Sequence, residues 1–158
     1  MSLERDRQHL EQAIELACQS VASNGGPFGA VVVKDNQIIG RGHNQVTLNN
    51  DPSAHAEIIA IRDACKTLDS FELSDCTIYT SCEPCPMCMS AIYWARLTRV
   101  VYASSSEDAA QAGFDDSVIA QEICKPYSER SIVIEQCDCQ LQTQSFEHWQ
   151  KKDDKTEY

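Results

Sequence analysis

No run of basic residues occurs anywhere in this chain, whose 13 Lys and Arg are outnumbered by 24 Asp and Glu for a net charge of −11. A protein that grips phosphate backbones needs clustered cations, so the composition speaks against a nucleic-acid partner. No segment is long and apolar enough to span a bilayer, which speaks against a membrane protein. The first residues, Met1 to Arg7, are charged and lack the apolar stretch of a signal peptide. Internal repeats and linkers are also missing, and 158 residues fit one domain, 1–158, that buries about two thirds of its unfolded surface. The nine cysteines are odd in number, in a chain too large to need a disulfide framework. They read as reduced thiols, and the protein as cytoplasmic.

What is present alternates in element type. Leu10, Ile14, Cys18 and Val21 recur at helical spacing and predict an amphipathic helix from Leu3 to Ser23, stopped by Asn24-Gly25-Gly26-Pro27. Phe28 to Lys34 and Gln37 to Asn44 predict a hairpin about Asp35-Asn36. A polar loop from Gln45 to Pro52 leads to a helix from Ser53 to Leu68, with Ser53 as its N-cap and Ile58, Ile61, Ala64, Cys65 and Leu68 on its buried face. A strand over Thr77–Ser81, a helix over Cys85–Arg96 and a strand over Arg99–Ala103 follow. A helix is expected within Glu107–Ile123, a strand at Ile132–Cys137, and an amphipathic piece around Phe146 and Trp149. Alternating strands and helices after the hairpin favour parallel pairing in an α/β fold, with helices on both faces. Cys18, Cys65 and Cys124 look like small buried hydrophobes, and Cys137 and Cys139 like packing on one strand face.

Two stretches carry chemistry: Ala54-His55-Ala56-Glu57, and Pro84-Cys85-Pro86-Met87-Cys88 some thirty positions on. One imidazole and two thiolates make a three-ligand zinc site that leaves a fourth position for water. Cys85 and Cys88, three apart at a helix start, can converge on one ion. Pro86 suits the first helical position, and the helix dipole favours thiolate there. Glu57, two beyond the ligand, points off the ligand direction and is free to handle protons on that water. H-x-E followed by P-C-x-x-C is the signature of zinc nucleobase deaminases. Cys82, three before Cys85, would be the fourth ligand of a purely structural clip, and a C-x-x-C-x-x-C run also occurs in iron–sulfur proteins. The ferredoxin pattern, however, needs a cysteine where Ile92 stands, and a structural clip needs no carboxylate beside its histidine. The chemistry expected is hydrolytic deamination of an amidine-like ring carbon. Glu57 would pass a proton from water to a ring nitrogen and then to the departing amine.

The whole chain resembles the bacterial guanine deaminases of the cytidine-deaminase-like fold. The matching segments, beside the zinc motifs, are Gly25 to Ala30, Asn49-Asn50-Asp51-Pro52, Tyr79 to Cys88, Ala91 to Arg96, Ala112 to Ser117 and the final Glu157-Tyr158. The resemblance implies a three-layer α/β/α fold with a mixed central sheet and one Zn2+ per chain. It implies a small purine base as substrate, deaminated to product and ammonia, with Phe28 and Trp94 flanking it and Asn44 and the Ala56 backbone bonding its edge. It also implies a domain-swapped homodimer exchanging a segment from about 105 to 158, with Phe114 and a catalytic Asp116 reaching the partner's pocket and Tyr158 closing it. In that family Cys82 is not a ligand. Taken without the resemblance, Phe28 and Trp94 would be packing, Asn44 a turn residue, Asp116 a solvated carboxylate and the charged tail disordered. Rival activities of the same motifs are a tRNA adenosine deaminase, a nucleoside deaminase and a deaminase of triazine-like amino-heterocycles; a non-catalytic zinc module is the unlike class.

Overall fold

The computed structural model describes residues 3–158. It divides into one compact unit ending at Ala120 and a second over Gln121–Tyr158. Among the described residues no helix is long and apolar enough to cross a membrane.

The first unit is built on a sheet of order β2-β1-β3-β4, formed by β1 (Gly29–Lys34), β2 (Gln37–His43), β3 (Thr77–Cys82) and β4 (Arg99–Ser104). β1 is antiparallel to both β2 and β3, and only β3 and β4 run parallel, so the sheet is mixed. The expected parallel pairing therefore holds at one seam alone. Helix α1 (Leu3–Ala22) covers one face, against Val31, Val33 and Tyr79. On the other face Ala30, Val32 and Ile78 pack with α3 (Ala56–Leu68) and with Ile92 of α4 (Pro86–Trp94). These are the three layers.

Close approach sets the register of these layers. A Cβ on Gly42 of β2 would lie 2.1 Å from the Ala56 carbonyl oxygen, so only glycine lets α3 begin where it does. The same tightness turns α1 by one position from the apolar stripe read in the sequence. Its buried residues are Asp6, His9, Ala13, Ala17 and Ser20, whereas Ile14, Val21 and Cys18 are exposed. Small side chains win because β1 runs nearly against the helix backbone.

The polar residues on that stripe are satisfied. Both carboxylate oxygens of Asp6 accept from Arg99, at 2.9 and 2.7 Å, and the Tyr79 hydroxyl donates to Asp6 at 2.7 Å. Arg99 also lies over the Tyr79 ring. These bonds tie α1, β3 and β4 together beside the apolar packing of Leu10, Leu16, Tyr79 and Val101.

Other expectations are corrected. Ser53 does not cap the helix after it, because its amide and hydroxyl both bond Asp51 at 2.8 and 2.7 Å; α3 starts three residues later, at Ala56. The polar loop before it contains a short helix, α2 (Val46–Asn49). The single helix expected within Glu107–Ile123 is two, α5 (Ser106–Gln111) and α6 (Ser117–Cys124), parted by Gly113 at φ +94°. Ile132–Cys137 is not a strand, and Ile132 and Val133 are 74 % and 81 % exposed. β-branched residues make a strand only where an edge accepts their backbone bonds. α7 (Gln144–Lys151) carries Phe146 and Trp149 as anticipated, both exposed, and Cys124, Cys137 and Cys139 are exposed rather than packed.

Losing the Asp6 carboxyl removes the bonds it accepts from the Tyr79 hydroxyl and from the half-exposed Arg99 guanidinium, so Asp6→Ala should cost about 2–3 kcal/mol in urea unfolding. Arg99 and the Tyr79 hydroxyl hold that carboxyl at about 2, against 3.8 ordinarily. The stabilisation is then complete above about pH 4 and lost as pH falls towards 2, and this part of the acid limb should flatten in Asp6→Asn.

Candidate active site

The two motif helices begin at the same place. His55 is the N-cap of α3 and Cys85 the N-cap of α4, with Pro86 just inside, and both caps have extended backbone. Neither uses its side chain to cap its helix. The imidazole and thiol that an ordinary cap would turn back on its own amides therefore face outward, towards each other.

His55 Nδ1 lies 3.6 Å from Cys85 Sγ and 3.5 Å from Cys88 Sγ. A tetrahedral ion with metal–sulfur bonds of about 2.3 Å and a metal–nitrogen bond of about 2.0 Å sets nitrogen and sulfur about 3.5 Å apart. All three ligand atoms lie within 4.8 Å of one another, and no other such group of His, Cys, Asp or Glu occurs among the described residues. The residues therefore fit zinc, with donors of the type it prefers. Cys82 is outside the group; its thiol points to the Ser105 carbonyl at 3.5 Å.

Local electrostatics prepare these donors. Cys85 is pulled down to about 4, first by the bond from the Cys88 thiol and then by that from His55. Cys88, holding the shared proton in a buried place, is pushed up. His55 is raised by its bond to Cys85. The free amides at the start of α4 favour the negative charge that two thiolates bring. Glu57, one turn position into α3, is buried and outside the ligand group. Burial pushes its carboxyl up, so it sits nearer to gaining a proton than a solvated glutamate.

These groups form the floor of a cavity of about 470 Å³. His55, Glu57, Cys82 and Cys85 line it together with Phe28, Asn44, Phe114 and Asp116. Asn44 is buried, and its Oδ1 accepts from the Gly26 amide at 3.4 Å and the Val46 amide at 3.3 Å. That fixes the side chain and leaves its Nδ2 donor for a ligand. Phe114 and Phe28 meet edge to face, with ring centroids 5.0 Å apart and planes at 87°.

Placement differs from expectation at several residues. Phe114 and Asp116 line the pocket of their own chain. The reason is local: Ser106 donates its amide to Glu83, Cys82 donates to Ser105, and Glu83 donates its amide to Ser104. The stretch from 105 to 116 is thereby tied to its own metal loop. Trp94 is 63 % exposed at the end of α4 and does not line the cavity, since six residues on from Cys88 a helix has turned to another side. Ala56 is fully buried and does not line the cavity, and Tyr158 is exposed in the second unit. Asn24, Thr47, Glu83, Ser106 and Asp115 line it and were not anticipated. Glu83 could have been found from its place inside the cysteine motif; Thr47 carried no signal.

Residues 3–104 match the model of the cytidine and deoxycytidylate deaminase zinc-binding region. The chain is 55 % identical to the guanine deaminase of Bacillus subtilis over 150 residues, 94 % of this chain and 96 % of that protein. The crystal structure of guanine deaminase from that organism superposes with a TM-score of 0.94 and 52 % identity, covering 100 % of this chain and 99 % of the other. A tRNA-specific adenosine deaminase of Haemophilus influenzae is 40 % identical over 119 residues, 72 % of this chain and 69 % of its own.

Metal analysis of purified variants checks the ligand set. Cys85→Ala and His55→Ala should lose the zinc, whereas Glu57→Ala and Cys82→Ala should keep it. Zinc lost with Glu57 would make that residue a ligand.

Proposed function

The chain belongs to the cytidine and deoxycytidylate deaminase zinc-binding family, and we propose that it converts guanine and water to xanthine and ammonia. The observation that carries this reading is the likeness to the Bacillus subtilis enzyme along the whole chain, beyond the zinc region at 3–104 and through the segment bearing Phe114 and Asp116. The zinc motifs alone would serve any member of the family.

His55, Cys85 and Cys88 would hold the zinc, which when bound brings a water to a state where it ionises near neutral pH. The chain supplies the rest. Phe28 offers an aromatic face to a flat ring, Phe114 closes over its side, and the Asn44 amide donates to a ring acceptor. Glu57 takes the proton of the attacking water and delivers it to the ring nitrogen beside C2. The oxygen bonds C2; Glu57 then takes the remaining proton of that oxygen and hands it to the amine, so the C2–N bond breaks as C2=O forms and ammonia leaves. Burial suits Glu57 to this traffic, because a carboxyl whose pKa is raised both accepts and releases a proton readily near neutral pH. Asp116, in the same cavity, is positioned for a second proton on the purine edge.

The protein works as a homodimer that exchanges Gln121–Tyr158. Support comes from the exposure of apolar residues along that segment, Ile132, Val133, Leu141 and Phe146 among them, and from the exposed Tyr102 on β4, the end strand of the sheet. Exchange would give Ile132–Cys137 an edge to pair with and bring Trp94 and Tyr158 into service around the substrate. All nine cysteines are unpaired, which supports a reducing, cytoplasmic setting with one zinc per chain.

In an ammonia-release assay guanine should exceed guanosine, cytidine, adenine and amino-triazines in kcat/KM; a nucleoside doing better would overturn the assignment. Glu57→Ala, with its zinc retained, should lose at least about 10²-fold in kcat. For the exchange, co-express Glu57→Ala with a chain truncated after Lys152. Mixed dimers should regain activity, because one pocket then carries both defects and the other neither. Glu57→Ala mixed with Asp116→Ala should regain none, since both groups serve one chain's pocket.

A further inference from the structure

Helix α5 has six residues, too few to stand by itself, yet Phe114 and Asp116 of the pocket wall hang from its end. Each end is secured. At the start, Ser105 and Asp108 form a reciprocal cap: the Ser105 hydroxyl accepts the Asp108 amide at 3.2 Å, and the Asp108 carboxylate accepts the Ser105 amide at 2.8 Å. There too the Ser106 amide donates to Glu83 Oε2 at 3.1 Å. Glu83 lies between Cys82 and the ligand Cys85, so this bond joins the helix to the metal loop.

At the far end the chain reverses through Gly113. Its amide bonds the Ala110 carbonyl at 3.0 Å, and the Phe114 amide bonds the Ala109 carbonyl at 2.9 Å. This paired closure needs a left-handed residue in the middle, and Gly113 has φ +94°. A Cβ there would meet nothing within 4 Å, so the glycine is demanded by backbone angle and not by space. Directly after it, Phe114 lies against Phe28 and Asp116 faces the cavity. Asp115 accepts the Ser117 amide at 2.9 Å, which holds the turn into α6.

We infer that Gly113 is a positioning residue for the Phe114–Asp116 wall, with Glu83 holding the other end of the same strut. The inference rests on the reading of this cavity as the purine pocket. An L-residue at Gly113 must either hold a costly backbone angle or let the turn relax. Relaxation is the cheaper course here, because α5 and its turn contain no buried residue. Phe114 then leaves Phe28, and the substrate loses one wall.

The test compares Gly113→Ala with Gly113→Asn, and Glu83→Ala with Glu83→Gln, on the substrate the wild type turns over best. Gly113→Ala should raise KM roughly 5- to 30-fold, the penalty of a left-handed L-residue, with zinc content and unfolding midpoint unchanged. Asn tolerates positive φ, as Asn24, Asn36 and Asn50 already do at 65°, 64° and 51°, and should recover most of the loss. Glu83→Ala should act in the same direction, and Glu83→Gln, which keeps an acceptor for Ser106, should recover most of the loss seen with Ala. A Gly113→Ala enzyme with wild-type KM, or Ala and Asn variants equally impaired, overturns the inference. If Gly113→Ala does not fold, the Glu83 pair decides, and equal behaviour of Ala and Gln overturns it. Failure of the wild type on guanine would sink the substrate reading alone, since these ratios are read on its best substrate.

Discussion

Everything at the catalytic end depends on the meeting of two helix N-termini. α3 and α4 each begin with a residue whose side chain is surrendered to the shared cluster instead of capping its own helix. An ordinary cap is worth about 1 kcal/mol, so two helices start at some disadvantage. The disadvantage is offset when metal binds, because ligand bonds then fix both starts together and binding energy becomes folding energy. The dipoles work in the same direction. Free amides at both helix starts face the place where thiolate charge must be carried.

That meeting in turn depends on distances set deeper in the chain. Gly42 lets α3 sit against β2 close to the Ala56 carbonyl, one residue after His55. On the reverse face the bonds of Asp6 with Arg99 and Tyr79 join α1 to β3 and β4, and β3 is the strand that leads into the cysteine loop. A polar clasp on one side and a glycine contact on the other thus hold the sheet whose ends present the site. Neither touches a ligand.

How far the sequence reveals this varies by kind of information. His55, Glu57, Cys85 and Cys88 are legible because zinc chemistry prescribes both the residue types and their spacing. Ser53 was misread because a serine before a helix is a general signal, whereas its bonds to Asp51 are particular to this loop. The α1 stripe was misread because hydrophobicity ranks Ile14 above Ala13, while the packing distance to β1 ranks them the other way. Ile132–Cys137 shows strand composition without strand structure, since pairing is not a property of one segment. Phe114 and Asp116 line the pocket of their own chain, where the resemblance implies a partner's. The bonds of Ser105 and Ser106 to the metal loop hold them there, and sequence does not display those bonds.

Charge limits what the cavity can admit. Glu57, Glu83, Asp115 and Asp116 all line the cavity, and no Lys or Arg does. Asp115 is held well below the ordinary carboxylate range by its bonds from Ser117, so it keeps its charge throughout the neutral range. A phosphate entering such a lining would meet repulsion at close quarters with no cation to pair it. The net charge of −11 extends the same repulsion to any polyanion outside. A neutral base carries no such penalty, and the donor of Asn44 and the two phenyl rings suit a flat heterocycle. Substrates carrying phosphate are therefore disfavoured both at the surface and at the floor, by residues distinct from those that bind the metal. The metal motif sets the reaction, and the carboxylates around it narrow what reaches it.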